Sequence, residues 1–199
     1  MMRKISILYE DSAANGGVHN YGPHVLVQQC VGDRLGKSHW ELKDSLAAMP
    51  KNGVSNVRVE CRRIASRIAR GGGLVVAVYD ADKIRREIVR PATACKVEVK
   101  EVLKKECSWP DQLCIVLLER NIETVVEAVR TCEPTLVPED IWVQAIKRKN
   151  LNARDIVLTH AASPPKRALR DQVLAIVPSL GYLVHKLVVA LSAPDVAGG

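Results

Sequence analysis

The residues best placed to do chemistry are acidic and stand where apolar runs stop. Glu10 follows Ile5-Ser6-Ile7-Leu8-Tyr9, and Asp80 and Asp82 close the long run Leu74-Val75-Val76-Ala77-Val78-Tyr79. Along an extended chain the period of two puts Asp80 and Asp82 on one face. Two carboxylates so placed repel unless a cation lies between them, and an all-oxygen pair suits Mg2+ or Mn2+ better than zinc. The alternative is that one aspartate caps the following helix while the other is solvated, which leaves the second without a task. Basic residues come next: Lys83, Arg85 and Arg86 would either pair with Asp82 or guide a phosphate toward the carboxylates. Upstream, Arg58, Arg62, Arg63, Arg67 and Arg70 line one helical stretch, as a track for a phosphate backbone or as an ordinary solvated face.

The elements that must position these groups read as an α/β arrangement with a Rossmann-like parallel sheet flanked by helices. The Val-rich run after Gly71-Gly72-Gly73 predicts a central strand covered on both faces, and ligands of such sheets sit at the carboxyl ends of strands. Residues 4–9 predict a first strand, 12–20 a glycine-rich loop, and Tyr21-Gly22-Pro23 the opening of a helix to about Leu35. Gly32-Asp33-Arg34-Leu35-Gly36-Lys37-Ser38 spaces its glycines too closely for a phosphate-binding P-loop and follows a helix instead of a strand. Residues 39–49 predict a short helical or irregular stretch, 58–70 and 93–107 helices, and 112–118 a third apolar strand ending at Glu119. Helices follow over 122–131, 138–149, 166–177 and 181–191, while 152–159 is ambiguous between a helix start and a last edge strand. Glu10, Asp80, Asp82 and Glu119 then converge on one edge of the sheet. Glu123, in a first helical turn, suits the helix dipole as well as it suits a site. The expected organisation is one domain over 1–192, with its core at about 3–130, a helical extension over 131–192 and a disordered tail at 193–199.

With 199 residues, 47% of them hydrophobic, the chain is long enough for a sizeable core, which without phenylalanine must be built from Val, Leu, Ile and Ala. A net charge of +7 favours a polyanionic partner. The cysteines at 30, 61, 95, 107, 114 and 132 form no CxxC pair and read as reduced core thiols, neither a zinc site nor a disulfide framework. The apolar start Ile5–Leu8 is too short for a signal peptide, and no segment approaches the ~18 apolar residues of a membrane span. A cytoplasmic protein with no membrane partner is expected.

A lone glutamate after a first strand, followed by a hydrophobic strand ending Asp-x-Asp, resembles the topoisomerase-primase (toprim) domain, and the likeness covers roughly residues 3 to 130. It implies Mg2+-dependent chemistry on nucleic-acid phosphodiesters, with Glu10, Asp80 and Asp82 as metal ligands or acid-base groups. Small toprim-like nucleases resembling the overcoming-lysogenization-defect group use further carboxylates, which makes Asp11 a candidate ligand and Glu119 and Glu123 candidate catalytic groups. Toprim proteins commonly have glycine after the first glutamate or after Asp-x-Asp, where this chain has Asp11 and Lys83. There is no room for the tyrosine domain of a topoisomerase or the template module of a primase. The expectation is therefore a metal-dependent nuclease, or the nuclease subunit of a larger assembly, binding nucleic acid through Lys83, Arg85, Arg86 and the arginine helix. Phage defence is one setting among several. The other reading is a non-catalytic regulatory module that docks nucleic acid or a partner, with the final apolar helices as a homo-oligomer or assembly face. A haloacid-dehalogenase phosphatase is disfavoured because its aspartyl loop follows the first strand. A serine or cysteine hydrolase lacks a nucleophile elbow near any histidine, and His24 reads as a partly buried structural residue.

Overall fold

The structure is a computed structural model that describes residues 4–13, 21–68, 74–81, 84, 101, 113–118 and 121–193, the side chains of 65–68 and 113 excepted. The chain divides into two compact units, one of residues 1–12, 44–119 and 189–199 and the other of residues 13–43 and 120–188.

The first unit holds a parallel sheet of β1 (Ile5–Tyr9), β2 (Leu46–Pro50), β3 (Leu74–Asp80) and β4 (Leu113–Leu118) in the order β2-β1-β3-β4. Ile5 pairs with Leu46 on one side and Leu74 on the other, and the registers run in step to Tyr9, opposite Pro50 and Val78. Ile7, Leu8, Val76 and Ala77 are fully buried. Burial of each Val, Leu or Ile contributes about 1.5–3 kcal/mol, which explains why the Val-rich run takes the centre. Helix α3 (Val54–Ile68) packs on β1 and β3 through Val54, Val57, Cys61 and Ile64, the helical spacing of one face, against Leu8, Val75, Ala77, Tyr79, Ile115 and Leu117.

Two boundaries differ from the sequence expectation. Leu46–Pro50, expected to be helical or irregular, is the edge strand β2. It has no β-branched residue to announce it. Pairing with β1 makes it a strand, and Pro50, which cannot donate to a ladder, is tolerated at the end of an edge. Helix α3 begins four residues before Arg58, because Asn52 (φ 53°) and Gly53 (φ 114°) make a left-handed turn from which the helix starts at once. The helix expected over 93–107 and the tail from 194 onward lie outside the described residues.

The second unit is helical: α1 (Gly22–Leu35), the short α2 (His39–Leu42), α4 (Ile122–Cys132), α5 (Glu139–Trp142, continued as a π-helix over Val143–Lys147), α6 (Leu151–Ala161), a 3-10 turn (Pro164–Lys166), α7 (Arg167–Ile176) and α8 (Pro178–Ser192), whose last turn is grouped with the first unit. The ambiguous stretch 152–159 lies within α6, capped by Asn150 Oδ1, which accepts from Ala153 N–H at 3.0 Å. Helices α1 and α6 pack so closely that a Cβ on Gly22 would meet Asp155 Cα at 2.7 Å. His24 is buried, as expected of a structural histidine.

The stretch with P-loop-like glycines is a helix end. Gly36 adopts the left-handed conformation (φ 64°) and closes α1 by donating to Gly32 carbonyl oxygen. A Cβ on Gly32 would lie 2.4 Å from the Lys37 carbonyl oxygen. Gly32→Ala is therefore expected to lower stability by about 1–2 kcal/mol in urea denaturation, because overlap outweighs the roughly 1 kcal/mol that alanine brings to a helix interior.

Arg170 on α7 ties this unit together. Its Nε donates to Asp33 Oδ2 at 2.6 Å and its Nη2 to Oδ1 at 3.0 Å, while Nη1 donates to the carbonyls of Ala161 and Ser163 at 3.0 and 2.6 Å. Cys30 is buried on α1, and burial pushes its thiol up to about 12, so it behaves as a packing residue. Cys61 is also buried, and Cys30, Cys61, Cys114 and Cys132 are all free thiols. Among the described residues no single helix is long and apolar enough to cross a membrane.

Candidate functional site

The order β2-β1-β3-β4 has a consequence for function. After β1 the chain crosses to β2 on one side of it, then returns through α3 to β3 on the other side, so the topological switch point lies between β1 and β3. Ligands of open parallel sheets bind at such points, outside the carboxyl ends of the strands. Glu10 ends β1 and Asp80 ends β3.

The backbone holds both in place. Glu10 N–H donates to Val78 carbonyl oxygen at 3.0 Å, extending the β1–β3 ladder by one residue. On the other side Gly53 N–H donates to the Glu10 carbonyl at 2.6 Å, Lys51 N–H to Tyr9 at 2.9 Å and Asn52 N–H to Asp11 at 3.3 Å. The turn Lys51-Asn52-Gly53, which in the sequence reads only as a break, thus clamps the acidic segment. Its detectable signal was Asn-Gly, the pair most at ease in left-handed backbone.

The Glu10 carboxylate reaches across the switch point: Oε2 accepts from Asp80 N–H at 2.9 Å. Glu10 is 2% exposed and Asp80 7%. Burying a carboxylate is costly, and hydrogen-bond donors or a cation reduce the cost. By strand alternation Asp80 shares a face with Val76 and Val78, opposite the face that packs on α3. The strand ends at Asp80 and Ala81 is already helical; Ala81 and Ile84, three apart, both enter the core beside α3.

The remaining expected site residues are placed as follows. Asp11 is half-buried beside Glu10, its Oδ1 accepting from Ser12 N–H at 2.8 Å. Glu123 is in the second unit, half-buried in the first turn of α4 behind the cap Asn121, a position that satisfies the helix dipole. Asp82, Lys83, Arg85, Arg86, Arg70 and Glu119 lie outside the described residues, as does the side chain of Arg67. Among the described residues no group of three or more His, Cys, Asp or Glu side chains gathers as a metal site. What the described residues do bring together is the Glu10 carboxylate and the backbone N–H of Asp80; as oxygen donors, the two side chains suit a hard divalent cation better than zinc.

On α3, Arg62 and Arg63 are exposed and Arg58 half-exposed. Arg63 is not a lone cation: its Nη2 lies 2.5 Å from Glu60 Oε1, and Lys51 Nζ approaches Glu60 Oε2 at 3.4 Å. The arginine stripe is thus part ion pair and part open charge. The Arg63 hydrogen bond, aided by Lys51, holds the Glu60 carboxyl below its ordinary value of 4.5 against the opposing effect of burial. A depressed folded pKa gives stability that is present above the unfolded value and lost as pH falls through the folded one. Glu60→Gln is accordingly expected to flatten the acid limb of the stability profile below about pH 4.5, measured as denaturation midpoint against pH, and to leave the neutral limb parallel to wild type.

Comparison with known protein families, with curated proteins and with solved structures finds no match for this chain.

Proposed function

We propose that this protein is a Mg2+- or Mn2+-dependent nuclease, or the nuclease subunit of a larger assembly, with its site at the carboxyl ends of β1 and β3. The observation that carries the reading is that Glu10 and Asp80 stand side by side at the switch point of a parallel sheet, where Glu10 Oε2 accepts from the Asp80 backbone N–H at 2.9 Å. Glu10 and Asp80 would hold the ion together with Asp82, and Asp11 is the nearest further carboxylate in sequence. A bound divalent ion supplies Lewis-acid polarisation of a phosphodiester and a water activated at neutral pH. The chain's own residues supply the anionic cradle, fixed by backbone bonds to Val78 and Gly53, and Arg62 offers exposed positive charge for the nucleic-acid backbone. Lys83, Arg85 and Arg86 would extend that charge next to the carboxylates, and Glu119 and Glu123 are the further acid-base candidates.

The test is cleavage of mixed DNA and RNA with Mg2+ or Mn2+ by wild type, Asp80→Asn and Asp82→Asn. Metal-dependent cleavage lost in both variants supports the reading, and cleavage unchanged in both removes it.

A second reading, a non-catalytic nucleic-acid or partner-binding module, is favoured by the burial of Glu10 and by its hydrogen bond to the backbone, which is the behaviour of a structural brace. Magnesium-independent binding without cleavage would select it.

A further inference from the structure

Five basic side chains in the second unit are tied to acids. Arg34 pairs with Asp171 at 3.0 Å, Arg130 with Glu139 at 2.7 Å, Arg154 with Asp155 at 3.2 Å and Arg170 with Asp33 at 2.6 Å, and Lys166 pairs with Glu133. Lys147, Arg148 and Lys149 are the contrast. They are consecutive and all exposed, and among the described residues no ion pair or side-chain hydrogen bond occupies them.

The backbone that carries them is tightly determined. The π-helix Val143–Lys147 ends with Arg148 N–H donating to Val143 carbonyl oxygen at 3.2 Å, and Asn150 N–H reaches Gln144 carbonyl oxygen at 3.0 Å. Asn150 then caps α6 through Ala153 N–H. Between them Lys149 adopts the left-handed conformation, φ 51°, where glycine or asparagine is the easy residue and lysine is strained. A cation thus stands where backbone geometry alone would prefer glycine, between neighbours of the same charge that repel it. Both costs disfavour the free protein, and a polyanion offsets the second of them.

We propose that Lys147-Arg148-Lys149 is a preset contact for the phosphate backbone of a nucleic acid, a second anchoring point besides the carboxylate site and α3. The proposal rests on the nucleic-acid reading above for the identity of its polyanion. Phosphate contact requires exposed, uncompensated charge and no base-specific geometry, and Lys147-Arg148-Lys149 supplies that charge on a fixed backbone.

The experiment is equilibrium binding of a labelled mixed-sequence DNA duplex, and of the corresponding RNA single strand, over a salt series in EDTA, where no cleavage occurs. The variants are wild type, the triple Lys147→Gln/Arg148→Gln/Lys149→Gln, and Lys149→Gly. Each lost phosphate contact makes the slope of log K against log salt shallower by about 0.7–0.9, so the triple variant is expected to lose about 2–3 from the slope and about tenfold or more in affinity. Lys149→Gly is expected to lose about one unit of slope while its denaturation midpoint stays level or rises, since glycine relieves the left-handed strain. That variant keeps the test informative if the triple variant folds poorly. A wild-type slope in a folded triple variant, or in Lys149→Gly where the triple variant does not fold, overturns the proposal. So does wild-type binding to phosphatidylserine vesicles with none to either nucleic acid. Because binding is read without metal, a protein that binds through Lys147-Arg148-Lys149 but never cleaves leaves the proposal standing and removes the nuclease reading. Cleavage that depends on Asp80, with binding indifferent to Lys147-Arg148-Lys149, does the reverse.

Discussion

On the proposed nuclease reading, Glu10→Gln is expected to lower metal-dependent cleavage by about two to three orders of magnitude while leaving the fold nearly as stable as wild type. The reason lies in the two tasks of one side chain. Glutamine keeps a carbonyl oxygen where Oε2 accepts from Asp80 N–H, so the brace between the ends of β1 and β3 survives. The negative charge does not survive. Charge stabilisation by a bound divalent ion is worth several kcal/mol, and each 1.36 kcal/mol is a factor of ten in rate, which sets the size of the expected loss. Glu10→Ala removes both tasks. It leaves the buried Asp80 N–H without its acceptor, at a cost of about 1–3 kcal/mol, and should lose cleavage and stability together. Cleavage rate and denaturation midpoint measured on both variants separate the roles. If Glu10→Gln cleaves as wild type does and only Glu10→Ala is impaired, Glu10 is a brace and the ligand assignment is wrong.

Arg170→Ala is expected to be the most destabilising single change in the helical unit, by about 3–5 kcal/mol. Removing one partner of a buried ion pair leaves the other charge uncompensated. Here it would strand Asp33, whose side chain is only 12% exposed, and deprive the carbonyls of Ala161, Ser163 and Pro164 of their donor. Against a typical total stability of about 5–15 kcal/mol such a loss is severe. The neighbouring pair Arg34–Asp171 provides the control: both its side chains are about half exposed, and Arg34→Ala should cost less than about 1 kcal/mol. Replacing both buried partners, as in Asp33→Leu with Arg170→Met, should recover part of the loss and not all of it, since the three carbonyls still lose the bonds from Arg170. Denaturant unfolding of the three variants gives the comparison, and an Arg170→Ala protein within 1 kcal/mol of wild type would show that the cluster is not what holds these helices.

What could be read along the chain was whatever its neighbours in sequence impose. The Val-rich run could only be a buried strand, 5–9 and 113–118 alternate or run apolar over strand length, and the face Val57, Cys61, Ile64 has helical spacing, so β1, β3, β4 and α3 were legible within a few residues. So was the acidic character of the strand ends, which is a property of Glu10 and Asp80 themselves. Elements whose conformation is imposed from a distance were not legible. Leu46–Pro50 becomes a strand because β1 offers it a ladder, and 152–159 is helical although its own pattern fits two states. The π-helix at Val143–Lys147 and the grip of Arg170 on Asp33 are likewise products of packing and side-chain reach. The candidate site divides in the same way. Which carboxylates stand at the ends of strands could be read directly along the chain. That β1 and β3 are neighbours in space, so that the Glu10 carboxylate reaches the Asp80 backbone N–H, came from the fold, because strand order is set by pairing between segments that share no local pattern.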